Sequence, residues 1–450
     1  MYERLIKFWD NSSFSLNRVV YYAIFGAAVL FMLGYIVPEL FTAAIVVLIF
    51  TAIAVLVDFY LLYRHTRGVE AHRITGDRLS NGDENKIVLR IRNNYDFKIQ
   101  CIIIDELPYQ LHERNWYRQL QIMADSEVAL DYFVTPQERG EYLFGNINVY
   151  VQGPLSLIKR RYIFKEEKVV KVYPSYIQMR RYQLLAVGTH FQETGVKRIR
   201  KLGHSMEFEQ IKEYVRGDDY RTINWKATAR HGNFMVNTYT DERSQQIYCI
   251  INKGRVMKMP FGGMTLLDYA INASLVLAAV ALQKQDKAGL ITFAQQLDVF
   301  VPADKKPTQI NTILETLYRQ TTNFLEPDLE KLFSVVRNRI TQRSLLILFT
   351  NFESFESLER ELPSLKKLAH YHLLMVVFFE NTELKDLAES KAVTTEQIYI
   401  KTIAEKFRYE KQLIVKELQK HGIITVLSTP QRLTVNALNK YLELKNKQSI

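Results

Sequence analysis

Two uncharged apolar runs, set back to back near the start of the sequence, constrain this chain more than any other feature. Val19–Val37 runs 19 residues without a charge, and after Pro38 and Glu39 a second uncharged run extends from Leu40 to Val57. At ~1.5 Å per residue each spans roughly 27 to 29 Å as a helix, close to the ~30 Å hydrocarbon thickness of a bilayer. A proline followed by a charge ends one helix and lets the next begin almost at once. Residues 1–67 therefore read as a cytoplasmic N-terminus and a two-helix transmembrane hairpin (19–37, 40–57). A cleaved signal peptide is the competing reading of the first run, but the run is too long for one and a second span follows directly. Arg4, Lys7 and Arg18 precede the hairpin, Arg64 and Arg67 follow it, and the turn carries no base. Positive flanks stay inside, which predicts a multi-pass protein of the cell inner (cytoplasmic) membrane with both termini cytoplasmic. Tyr21, Tyr22, Tyr35, Tyr60 and Tyr63 suit an interfacial belt at the span ends.

The remainder is long enough for further domains, since 450 residues correspond to about three at the usual ~150 each. With 48% hydrophobic and 24% charged residues it should fold, and Cys101 and Cys249 alone exclude a disulfide framework or an all-cysteine zinc site. The net charge of +11 suits nucleic acid or anionic lipid, and a membrane hairpin favours lipid.

From residue 68 to 175 apolar residues alternate with polar ones: Ile87, Leu89 and Ile91 against Lys86, Arg90 and Arg92, and Ile147, Val149 and Val151 against Asn146 and Asn148. Period two, punctuated at Asn81-Gly82, Pro108, Pro136 and Gly153-Pro154, predicts an antiparallel β-sandwich of roughly seven strands, a spacer or docking module. From 246 to 450 strand-like runs (Gln246–Asn252, Ala288–Phe293, Ser344–Phe349, His372–Phe379, Ile423–Leu427) alternate with helical ones (Leu266–Gln285, Thr308–Arg319, Asp328–Ile340, Leu358–Ala369, Leu433–Lys447). Parallel strands need such crossovers, so this region reads as an open, doubly wound α/β domain. Leu266–Leu282 is apolar nearly all round, yet Asp268, Asn272 and Ser274 interrupt it, and it reads as a buried helix rather than a third span.

Residues 176–245 form a linker that carries the most distinctive stretch, with Glu209, Glu213, Arg216, Gly217, Asp218, Asp219, Arg221, Asn224, Trp225, Lys226 and Arg230. Asp218 or Asp219 is placed to cap a short helix beginning near Tyr220, and Arg221 and Trp225, four apart, could stack. Arg216-Gly-Asp-Asp-Tyr-Arg-Thr-Ile-Asn-Trp-Lys-Ala-Thr-Ala-Arg230 closely resembles the signature of the domain of unknown function 58 family, membrane-anchored prokaryotic proteins with a von Willebrand factor A-like domain. The hairpin, the β-rich segment ending Val172-Tyr-Pro174 and the α/β end match that layout, so the resemblance covers most of the chain. It implies partnership with a MoxR-type AAA+ ATPase.

It also implies where a metal would sit. A von Willebrand A-like domain usually has an Asp-x-Ser-x-Ser turn after its first strand, a threonine, and an aspartate after a later strand, because a hard cation wants oxygen ligands with carboxylate charge. Here the turn is Asn252-Lys-Gly-Arg-Val256 and the later strand end is Thr350-Asn351, with Thr321 or Thr322 available as the threonine. Amides in place of carboxylates, with Lys253 and Arg255 beside them, predict a degenerate site without Mg²⁺. Ligands of open α/β sheets bind at the carboxyl ends of strands, so Asn252, Lys253, Arg255, Thr321, Thr322 and Asn351 are expected to converge as a partner-binding edge, the two cations standing in for the metal.

His370 and His372 read as a strand start, and the basic run Lys197–Lys201 as a solvated or membrane-facing patch. No phosphate loop, G-x-S-x-G elbow or H-E-x-x-H is present, and no catalytic residue or cofactor is expected. The chain thus reads as a membrane-anchored, cytoplasm-facing adaptor working with the AAA+ ATPase in assembly, maturation or stress protection of envelope proteins. Two alternatives stay open: a hydrolase using carboxylates such as Glu213, Asp218 and Asp219, and membrane-tethered nucleic-acid binding, although no nucleic acid is expected.

Overall fold

The computed structural model describes residues 14–187, 207–215, 218, 220–240, 244–322, 325–389 and 394–447. The chain divides into two compact units, Met1–Val172 and Tyr173–Ile450.

The first unit opens with a short strand, β1 (Phe14–Leu16), and two apolar helices, α1 (Arg18–Gly34) and α2 (Pro38–Tyr63). Asn17 caps α1 by accepting from Arg18 N at 2.8 Å, and Pro38 starts α2, where a missing N–H costs nothing. The helices meet closely at Gly34, where a Cβ would come within 2.9 Å of Phe41 N, and Phe31 lies edge-on to Phe41 at 5.3 Å. Val20, Ala27, Gly34 and Ala44 are buried, while most of the remaining apolar side chains are exposed. α1 is shorter than the first uncharged run because Tyr35–Val37 form the turn, and α2 is longer than the second because it continues through Asp58 to Tyr63.

Ten further strands follow: β2 (Val69–Ile74), β3 (Arg78–Ser80), β4 (Asn85–Asn93), β5 (Ile99–Asp105), β6 (Tyr117–Ile122), β7 (Glu127–Val134), β8 (Gly140–Phe144), β9 (Ile147–Gln152), β10 (Ile158–Phe164) and β11 (Lys168–Tyr173). They pair as β1-β10-β9-β5-β6, β2-β4-β7 and β3-β11-β8. The period-two reading holds on β4, where Ile87, Leu89 and Ile91 are buried and Lys86, Arg90 and Arg92 exposed. Between residues 68 and 175 ten strands replace the expected seven, because a three-residue strand such as β3 is too short to show a period. β1 lies before the helices yet pairs with β10, so both ends of the helical hairpin start and finish on this sheet domain.

That junction is built. Asp58, fully buried, accepts from Leu157 N at 2.9 Å and Ile158 N at 3.0 Å. Asn17 N donates to Leu157 O at 2.8 Å and its side chain to Ser156 O at 2.7 Å. Tyr95 Oη donates to Leu62 O at 2.7 Å, and the Arg160 guanidinium donates to Leu62 O and His65 O while lying over Tyr63 and Tyr162.

In the second unit α3 (Tyr176–Val187) packs on the core helix α5, and a two-stranded ladder, β12 (Glu207–Glu213) with β13 (Met235–Thr240), encloses the short helix α4 (Trp225–His231). The segment expected to be a linker is therefore partly structured. A sheet follows, built from β14 (Gln246–Asn252), β17 (Lys287–Phe293), β18 (Leu297–Asp304), β19 (Leu345–Phe349), β20 (Leu373–Phe379) and β21 (Ile424–Ser428). β15 (Pro260–Phe261) and β16 (Met264–Thr265) form a small separate ladder. The order is β18-β17-β14-β19-β20-β21, parallel except for the antiparallel edge strand β18.

The helices are α5 (Leu266–Gln283), α6 (Gln309–Tyr318), α7 (Leu329–Arg339), α8 (Phe355–Tyr371), α9 (Thr382–Glu389), α10 (Thr395–Lys420) and α11 (Leu433–Asn446). Ile247, Cys249 and Ile251 of β14 join a core with α5 and α11, whereas Tyr248 and Ile250 join one with α7, α8 and α10. Alternate residues of a strand point to opposite faces, so both faces are covered. α5 starts at a capping box between Thr265 and Asp268, and it is a buried core helix despite being long and apolar enough to cross a membrane. α2 passes the same test of length and hydropathy while remaining almost wholly exposed.

Candidate functional site

The signature stretch folds as a hairpin module. Asn224, not an aspartate, caps α4: its Oδ1 accepts from Ala227 N at 3.0 Å and its Nδ2 donates to Asn237 Oδ1 at 2.8 Å. Gly232 ends the helix at φ +77°, and Thr228 Oγ1 accepts from Met235 N at 3.0 Å, fixing α4 against β13. Asp218 instead closes the turn behind it, accepting from Val215 N and from Lys212 Nζ, both at 3.0 Å. These contacts, the Val215 amide foremost, hold its carboxyl below the usual range. A short 3₁₀ helix does begin at Tyr220 (Tyr220–Thr222); Asp218 turns back instead of capping it, the other expected cap, Asp219, lies outside the described residues, and α4 begins only after Asn224.

The expected Arg221–Trp225 stack depends on the Arg221 side chain, which lies outside the described residues. The Trp225 ring lies edge-on to Phe234 at 6.3 Å. Glu213 Oε1 accepts from Asn233 at 3.3 Å, while Lys226 and Arg230 are exposed. Arg216, Gly217 and Asp219, the side chains of Glu209 and Arg221, and the run Lys197–Lys201 lie outside the described residues.

The second candidate lies at the carboxyl ends of β14 and β19. Asn252 is buried, donating to Thr350 Oγ1 at 2.9 Å and accepting from Gly254 N at 2.8 Å. Gly254 permits the turn, since a Cβ there would come within 2.9 Å of Leu325 O. Arg255 N donates to that same carbonyl at 3.1 Å, which draws the segment after α6 to this edge. In that segment Thr321 is exposed and Thr322 half-buried.

Lys253 corrects the sequence reading. It is 5% exposed, and its Nζ donates to Asp298 on β18 at 2.7 Å, so its charge is internally neutralised rather than presented to a partner. Arg255 is exposed and 3.9 Å from Glu353. Asn351 accepts at 3.0 Å from Lys411, a residue of α10 that also donates to Phe352 O. Burial pushes the Lys411 ammonium down to about 8, against the pull of Glu353 and Glu410. On α8, burial raises Glu361 to about 7, with Arg360 opposing the rise and Glu326 adding to it. Among the described residues no group of three or more His, Cys, Asp or Glu is placed to hold a metal ion. His370 lies in the last turn of α8 and His372 is its buried C-cap, so the two do not share a strand face.

Residues 210–416 match the family described as "Protein of unknown function DUF58". That match supports the resemblance read from Arg216–Arg230. The uncharacterized protein YeaD of Bacillus subtilis (strain 168) is 24% identical over 191 residues, covering 39% of this chain and 45% of YeaD. The chain thus spans less than half the length of that curated relative. Among solved structures, the conserved hypothetical protein BatB from Bacteroides thetaiotaomicron aligns at 11% identity and TM-score 0.29, covering 45% of this chain and 99% of that one. The CARDB domain of the PF1109 protein from Pyrococcus furiosus aligns at 12% identity and TM-score 0.17, covering 23% of this chain and 86% of that one.

Proposed function

We propose that this chain is a membrane-anchored, cytoplasm-facing adaptor: the helical hairpin α1–α2 spans the inner membrane, and a von Willebrand A-like domain presents its carboxyl sheet edge to a MoxR-type AAA+ ATPase acting on envelope proteins. The observation that carries the metal-independent part is the closure of that edge by neutral amides and an ammonium. Asn252 is tied to Thr350 and Gly254, and Asn351 is tied to Lys411. A divalent cation would need carboxylate oxygens where these groups already satisfy one another. The exposed apolar surface of α2 supports the anchor, because such a surface is costly in water and favourable in hydrocarbon.

The hydrolase reading is the weaker one. A general acid or base needs an available proton site, and Asp218 is committed to Val215 N and Lys212 as a turn closure.

The test is affinity purification of the tagged, detergent-solubilised chain from its own host, with and without EDTA, followed by mass spectrometry. Recovery of an AAA+ ATPase in both samples is the expected result. EDTA-sensitive recovery would overturn the metal-independent edge, and absence of the ATPase from both would overturn the partnership.

A further inference from the structure

The signature hairpin displays more aromatic surface than its own folding uses. Tyr220 is 69% exposed, Trp225 68%, Val215 63% and Phe234 56%. Phe234 lies edge-on to Trp225 at 6.3 Å and to Tyr214 at 6.5 Å, so these three rings form one continuous patch. The frame beneath is held by its own hydrogen bonds, Asn224 to Asn237 and Met235 N to Thr228, and by the bridge between Ile223 and buried Val236. The rings are therefore held in place while facing outward. Beside them Lys226 and Arg230, four apart on α4, share one face, and Asp218 is already neutralised by Lys212.

From this juxtaposition we propose that the β12–α4–β13 module docks on an anionic bilayer surface, with Trp225, Tyr220 and Phe234 at the level of the headgroups and Lys226 and Arg230 on lipid phosphates. Amphipathic rings concentrate at that interface, and each cation near it strengthens binding by roughly fivefold. A bilayer is favoured over a second protein because the chain supplies its own: α2 exposes a membrane-length apolar surface, and tethering raises the effective concentration of any weak lipid site. The inference rests on the membrane-anchor reading.

The experiment places the full chain in nanodiscs of phosphatidylcholine, with or without phosphatidylglycerol, carrying brominated acyl chains that quench tryptophan. Subtracting the emission of Trp225→Phe isolates Trp225 from Trp9 and Trp116. Docking predicts a quenched Trp225 component on anionic discs, a ratio of docked to free module that falls about 25-fold in Lys226→Gln/Arg230→Gln, and little quenching on neutral discs. If the chain inserts in the discs but Trp225 stays unquenched, the docking proposal is overturned while the anchor stands. Shielding of Trp225 only on addition of a protein partner would likewise overturn it in favour of a protein surface. If the chain does not enter discs at all, the anchor reading falls and the docking with it.

Discussion

Asp58 tests how the apolar hairpin is joined to the sheet domain. Its Oδ2 receives two backbone N–H groups, from Leu157 and Ile158, in a fully buried site. Asp58→Ala leaves both donors without their acceptor, and an unsatisfied buried donor costs about 1–3 kcal/mol, so the loss is about 2–6 kcal/mol for the pair. Asp58→Asn retains an acceptor oxygen but loses the charge, and should cost about 1 kcal/mol. Gly153→Ala approaches the same joint from the other side, placing a Cβ about 2.5 Å from Asp58 Oδ1 and 3.4 Å from Leu62 Cγ. The assay is amide hydrogen exchange on the detergent-solubilised full chain. Protection at Leu157 and Ile158 should fall at least about thirtyfold in Asp58→Ala, with the amides of Ile250 and Leu348 in the second unit unchanged. Protection unchanged at Leu157 and Ile158 would refute the reasoning, since those two amides have no other role in it.

Three further outcomes follow from the second unit. Lys411 has its pKa lowered from 10.5 to about 8, so the unfolded chain holds the extra proton between those values and wild-type stability rises with pH across that window. Lys411→Met should remove that slope, worth at most about 3 kcal/mol, in melts from pH 7 to 10.5. Glu361 behaves oppositely: raised from 4.5 to about 7, it contributes stability that is present below pH 4.5 and lost as pH rises through 7. Glu361→Gln should flatten that fall and be the more stable chain at pH 8, by at most about 3 kcal/mol. Asn224→Ala removes the α4 cap and the bond to Asn237, and should cost about 1–2 kcal/mol, read as faster exchange at Ala227 N.

The elements legible in the sequence are those whose pattern is set by burial alone. β14 was expected at Gln246–Asn252 and is found there, and α5 starts at Leu266, because unbroken apolar runs have one solution inside a two-faced sheet. The missed elements carry mixed patterns. β18 (Leu297–Asp304) is an edge strand with two aspartates and a proline in it, and α10 (Thr395–Lys420) buries only Ala404, Ile414 and Leu418, too sparse a stripe to stand out. Both omissions bear on the same site. β18 supplies Asp298 to Lys253, and α10 supplies Lys411 to Asn351. The residues of the edge were readable in order, but their charge state depended on partners about 45 and 60 positions away.

This separates two cations that the sequence presents as equals. Reversing Lys253 would set a carboxylate in a site 5% exposed and facing Asp298, leaving two like charges close together and partly desolvated. Lys253→Glu should therefore lower the melting temperature whatever the edge binds. Arg255 is different, because it is exposed and its 3.9 Å pair with the equally exposed Glu353 is of the class worth about 0–1 kcal/mol. Arg255→Glu should leave the melting temperature within a degree or two and weaken capture of an acidic partner, read by the amount of AAA+ ATPase recovered with the tagged chain. Unchanged recovery with Arg255→Glu would remove charge from the account of this edge, because Lys253 is already neutralised by Asp298 and Lys411 is turned inward onto Asn351 and Phe352.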